Sequence, residues 1–113
     1  MFELTWSAPG LGGALGACHG LDVPLVFGNL DRGQPAMLIG KPPSPEAEAL
    51  SARMRAAWVS FAAHGDPGWP AYDTDQRLVQ CFDSASMVTA YPEELSRRIW
   101  HGHPFLALRL SSP

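Results

Sequence analysis

Large apolar and polar residues alternate from Phe2 to Trp6, the two-residue period of a β-strand. The glycine-rich run Pro9-Gly10-Leu11-Gly12-Gly13-Ala14-Leu15-Gly16 follows. Its spacing fits neither the dinucleotide fingerprint nor the Walker loop, and no helical pattern follows it, so it reads as flexible loop. Leu21 to Phe27 is apolar apart from Asp22. Pro24 argues against a central strand or a helix interior there, which leaves a buried turn or a short irregular segment. Asp31 to Pro43 reads as loop. The strongest periodicity comes next: Leu50, Met54, Ala57, Trp58 and Phe61 recur at three- and four-residue spacing and predict an amphipathic helix from about Ser44 to His64. Ser44 suits the N-cap, Pro45 the first helical position, and Glu46 and Glu48 the positive end of the helix dipole. Gly65 and Pro67 stop it. A hairpin is predicted for Leu78 to Phe82 and Met87 to Ala90, turning through Asp83-Ser84-Ala85-Ser86, and a short helix from Pro92 to about Trp100.

The length, 113 residues, allows one small domain that would bury about two-thirds of its unfolded surface. An apolar share of 46% beside a charged share of 17% excludes a disordered chain. The net charge of −3 and the lack of any basic cluster give no footprint for nucleic acid. No apolar run is long enough to span a membrane, and the first residues lack the basic start and apolar core of a signal peptide. Cys18 and Cys81 do not make a disulfide framework. Two buried thiols are the default expectation, and a single bridge between them is the alternative.

Candidate chemistry is thin. No Gly-x-Ser-x-Gly elbow occurs, so no serine has the strained turn of a hydrolase nucleophile. Cys18 and His19 are neighbours whose side chains diverge, which is poor geometry for a dyad. His101 and His103 lack Cys or acidic partners at ligand spacing, and a solvated tail is the expectation. His64 belongs to a helix C-terminus, where free carbonyls favour a donor. His19 differs in context. It lies on a loop after a strand, and open α/β sheets place functional groups on the loops that leave the strands' C-terminal ends.

Two segments carry a family resemblance. Gly16-Ala17-Cys18-His19-Gly20-Leu21-Asp22-Val23-Pro24-Leu25-Val26-Phe27-Gly28 resembles the histidine motif of type-B carboxylesterases, in which an acid stands three residues after the histidine and an apolar stretch ends in Phe-Gly. Ala57-Trp58-Val59-Ser60-Phe61-Ala62-Ala63-His64-Gly65-Asp66-Pro67, continuing to Trp69-Pro70-Ala71-Tyr72, resembles the late helix and loop that close the same domain. The two matches come in family order, and the likeness loosens after about Ser84.

The resemblance implies the C-terminal portion of an α/β-hydrolase domain, spanning residues 1–113: one sheet strand, the catalytic-histidine loop, a long amphipathic helix, a small hairpin and a short terminal helix. It implies ester hydrolysis through an acyl-serine, with His19 as general acid and base and Asp22 as a buried group behind it rather than the triad acid. Asp22 stands where Glu is usual, which shortens its reach. Gly16 and Gly20 would let the loop approach the active site closely, and Leu25 and Phe27 would serve as packing or, as the alternative, as the floor of the acyl pocket. The implied partners are a small carboxylic ester and the N-terminal part of the hydrolase domain, with no cofactor and no metal. In such enzymes the nucleophile, the oxyanion loop and the triad carboxylate lie upstream. Met1 falls inside an expected strand, as in a truncated frame, a split gene or a decayed esterase. The rival expectations are a non-catalytic remnant or small interaction module of hydrolase origin and, more weakly, a histidine metal site.

Overall fold

The computed structural model describes residues 1–104. Three strands form one sheet in the order β1 (Phe2–Leu4), β2 (Leu78–Phe82), β3 (Met87–Ala90). β1 and β2 are parallel, with Phe2 opposite Gln80 and Leu4 opposite Phe82. A parallel pair needs a long crossover, and here it carries three helices: α1 (Asp22–Phe27), α2 (Gly33–Ile39) and α3 (Pro45–His64). β2 and β3 form the predicted antiparallel hairpin, with Leu78 opposite Ala90 and Cys81 opposite Met87. α4 (Glu94–Trp100) follows, starting two residues later than expected.

β1 ends at Leu4 rather than Trp6, because the amides of Thr5 and Trp6 both turn to the carbonyl of Phe82, at 3.0 and 3.3 Å. The chain thus leaves the ladder early. Trp6 and Ala8 then enter the core.

Two segments that read as irregular are helices. In α1 and α2 the prolines, Pro24 and Pro35, occupy the third helical position. A first-turn amide has no partner inside the helix, so a residue without one is tolerated there. Pro24 even accepts at the far end, from the amides of Gly28 and Asn29. The glycine run is also more ordered than expected. It holds a tight turn at Gly10–Gly13, with Leu11 and Gly12 in left-handed backbone. Gly10 lies so close to α2 that a Cβ would sit 1.9 Å from the Met37 carbonyl oxygen.

α3 follows its sequence signals closely. The Ser44 hydroxyl accepts from the Ala47 amide at 3.1 Å, and Gly65, left-handed at φ 74°, donates to the Phe61 carbonyl. Ala47, Leu50 and Met54 are fully buried and pack with Leu21 and Leu25 of α1. The predicted apolar face is not covered along its whole length. Trp58 meets Phe2 at 4.8 Å and Phe82 at 6.2 Å between ring centroids, but Phe61 is 59% exposed. Cys81 is buried and Cys18 half-buried, and both are free thiols, so the bridge alternative does not hold.

The end of β1 is tied to the hairpin turn. The Thr5 hydroxyl donates to Asp83 Oδ2 at 2.7 Å, and this bond, with the Ser84 amide, holds the Asp83 carboxyl below its usual range. A lowered native value means that the contribution is complete above the ordinary carboxylate value of about 4 and is lost as pH falls through the lowered one. Thermal unfolding of parent and Asp83→Asn should therefore differ most above about pH 4, and the difference should shrink on acidification. Thr5→Val should destabilise by about 1 kcal/mol near neutrality.

Candidate functional site

His19 stands on the long connection that leaves the C-terminal end of β1. The connection is folded by its own backbone. The Ala8 amide donates to Gly16 at 3.0 Å, the Gly16 amide to Gly13 at 3.2 Å, and the Cys18 amide to Gly16 at 3.0 Å. A β-turn closes it, with the Leu21 amide donating to the Cys18 carbonyl at 3.3 Å and His19 and Gly20 at the two central positions. Gly20 has φ 74°, a value that favours glycine at the second central position of a turn. A Cβ on Gly16 or Gly20 would meet open space. Within this chain these two glycines serve turn geometry.

The turn passes directly into α1. Leu21 is its N-cap and fully buried, and the Val23 amide reaches back to the Gly20 carbonyl at 3.3 Å. The His19 side chain is exposed and forms no hydrogen bond or ion pair among the described residues. Asp22, expected to be buried behind it, is half-buried at the first position of α1, and no hydrogen bond joins the two. Leu25 is fully buried, as expected of a packing residue. Phe27, which was grouped with it, is 79% exposed.

The other histidines lie elsewhere. His64 is the last residue of α3 and exposed, as a helix-end residue should be. His101 and His103 follow α4, and the His103 ring lies edge-on to Trp100 at 5.8 Å. Among the described residues no three His, Cys, Asp or Glu side chains gather as a metal cage would require.

An apolar cleft of about 300 Å³ sits at the opposite, N-terminal end of β1, lined by Phe2, Trp58, Phe61 and Trp69 among others. His19 is not part of it. A shallower groove runs past Arg53, Gln80 and Ser86, but the Arg53 guanidinium is already bonded to Ser86 Oγ and to the carbonyls of Asp83 and Ser84. Function in an open α/β sheet gathers at the C-terminal strand ends. By that rule the histidine turn is the candidate site for chemistry.

Sequence reasoning missed one residue behind the turn. Ser51, in the middle of the α3 stripe, is 1% exposed, and its hydroxyl donates to the Leu25 carbonyl of α1 at 2.7 Å. The available signal was a hydroxyl standing between Leu50 and Met54 on an otherwise apolar face.

No family model matches the chain. It is similar to the para-nitrobenzyl esterase of Bacillus subtilis (strain 168), 36% identical over an alignment of 87 residues that covers 73% of this chain and 17% of that protein. It is also similar to the phenmedipham hydrolase of Pseudarthrobacter oxydans, 36% identical over an alignment of 75 residues that covers 59% of this chain and 15% of the relative. Among solved structures, a thermophilic PNB esterase superposes with a TM-score of 0.73 at 30% identity, covering 87% of this chain and 21% of that one. The Geobacillus stearothermophilus carboxylesterase gives 0.71 at 34% identity, over 89% and 21%. The chain thus spans about a fifth or less of the length of the proteins it matches.

The exposed apolar surface at the cleft has a measurable consequence. With Met1, Phe2 and Phe61 all at least one-third exposed, the chain by itself should bind anilinonaphthalene sulfonate or self-associate with rising concentration. Phe61→Ser should weaken both. A strictly monomeric chain that leaves the dye dark would show that this face needs no cover.

Proposed function

Because the chain is a type-B carboxylesterase-like segment of the α/β-hydrolase fold, we propose that His19 is the general acid and base of a serine ester hydrolase completed by residues outside these 113. The observation that carries this reading is the placement of His19. It occupies the centre of a folded turn on the connection that leaves the C-terminal end of a parallel strand, exposed and with its ring uncommitted.

The chemistry follows from that position. In the complete site, neutral imidazole takes the proton of the nucleophilic serine as its oxygen attacks the ester carbonyl. The imidazolium then returns that proton to the departing alcohol, leaving an acyl-serine. Water repeats the sequence in the second half and releases the acid. The partner this requires is the N-terminal part of a hydrolase domain, which supplies the serine, the oxyanion donors and the triad carboxylate. The substrate is a small carboxylic ester. Asp22, three residues after His19 at the start of α1, tunes the position of the turn and takes no proton.

The chain alone lacks the covalent route and the electrostatic stabilisation together, so it should hydrolyse an activated ester no faster than free imidazole does. Joined to the N-terminal part of the Bacillus subtilis para-nitrobenzyl esterase, it should become an esterase. In that joined enzyme His19→Ala should lower kcat by about 10⁴-fold or more. Asp22→Asn should fall between His19→Ala and the parent, and His64→Ala should change activity little. Retention of activity by His19→Ala, with loss on mutating His64, His101 or His103, would assign the base elsewhere.

A further inference from the structure

We propose that Ser51 is a positioning residue for His19, acting through α1; the catalytic part of this proposal rests on the function proposed above. The starting point is a carbonyl at the end of a short helix. α1 has six residues, and the Leu25 carbonyl lies in its last turn. The amides of Gly28 and Asn29, which would reach that oxygen in a continuing helix, both donate to Pro24 instead, and the Leu30 amide makes no bond to it. Leu25 is fully buried, so water does not replace them. An unpaired buried carbonyl carries a full desolvation penalty. The Ser51 hydroxyl removes that penalty with a 2.7 Å bond from α3.

A serine inside a helix usually bonds back to the carbonyl four residues earlier or points to solvent. Ser51 does neither. It is buried and spans two helices. The other contacts between these helices, Leu21 and Leu25 against Leu50 and Met54, are apolar. Apolar burial is non-directional and tolerates a small slide or rotation of one helix on another. The hydrogen bond is directional and does not. It therefore sets the register of α1 along α3.

That register reaches the histidine within one turn of chain. The other end of α1 is Leu21, whose amide closes the β-turn that holds His19, and the Val23 amide bonds back to Gly20. A displacement of α1 carries the turn with it. For a general base, a misplacement of about 1 Å lowers the rate by roughly 100-fold. Ser51 thus acts on the reaction without touching substrate.

The test has two arms. In the chain itself, hydrogen exchange read by mass spectrometry at low concentration should show Ser51→Ala accelerating exchange in peptides covering Cys18 to Phe27 by roughly 10-fold, the scale of one unpaired buried carbonyl. Peptides covering β2 should change much less. Where the alanine variant fails to fold, Ser51→Cys, a weak donor of similar size, should give the same selective pattern at smaller amplitude. In the enzyme joined to the esterase N-terminal part, Ser51→Ala should lower kcat by about 10- to 100-fold with little change in KM. Ser51→Thr, which keeps the hydroxyl, should recover most of the loss. Equal acceleration across α1 and β2, an unchanged kcat, or a threonine variant as impaired as alanine would each overturn the proposal. Should His19→Ala in the same enzyme retain activity, the catalytic reading fails by itself, and the exchange arm still decides whether Ser51 holds the turn.

Discussion

The packing of α1 on α3 is the contact on which the rest of this molecule depends. Leu21, the N-cap of α1, and Leu25 within it are fully buried in one cluster with Leu50 and Met54, and the Ser51 hydroxyl donates to the Leu25 carbonyl across the two helices. A helix as short as α1 has no stability of its own in water, since nucleation outweighs the few bonds it gains. It exists because α3 covers it. The histidine turn, closed by the Leu21 amide, exists on the same terms.

The sheet and the helices hold each other by a second set of contacts, weaker and more polar at its edge. Phe2, Trp58, Phe82 and Trp69 meet edge to face, which joins β1, α3, β2 and the loop after α3 in one aromatic group. Thr5 and Asp83 then tie the exit of β1 to the hairpin turn. The chain leaves the strand at a fixed place and enters the glycine run already directed toward α2, where Gly10 fits only because it has no Cβ. From there a series of backbone turns delivers His19 to α1. The position of the one candidate catalytic group is thus set at both ends, by the sheet before it and by α3 after it.

The molecule also has two ends of different character. On the connection that follows β1 is an exposed histidine with an uncommitted ring. At the N-terminal end is an apolar cleft without chemistry. The similar esterases extend far beyond the matched segment.

By itself the sequence determined the elements whose signals are local. Ser44, Pro45 and Gly65 delimit α3 through bonds made within a few residues of each other, and the hairpin strands follow from alternation on either side of a polar turn. The His19 motif and the late-helix motif were legible for the same reason, as contiguous runs of residues. Other features needed partners distant in sequence, and only the tertiary structure decided them. α1 and α2 looked irregular because proline weakens any local helical pattern, yet a first-turn proline gives up no bond, and packing of α1 on α3 and of α2 on the Gly10–Gly13 turn supplies what propensity withholds. The pairing of β1 could not be read locally, because its neighbour β2 begins only at Leu78. Phe61 carries the same periodic signal as Leu50 yet stays exposed, because period reports which side of a helix an apolar residue occupies and not whether anything lies there to cover it. Ser51 was invisible for the converse reason. Its meaning is a carbonyl on another helix, left without an amide by the way that helix ends.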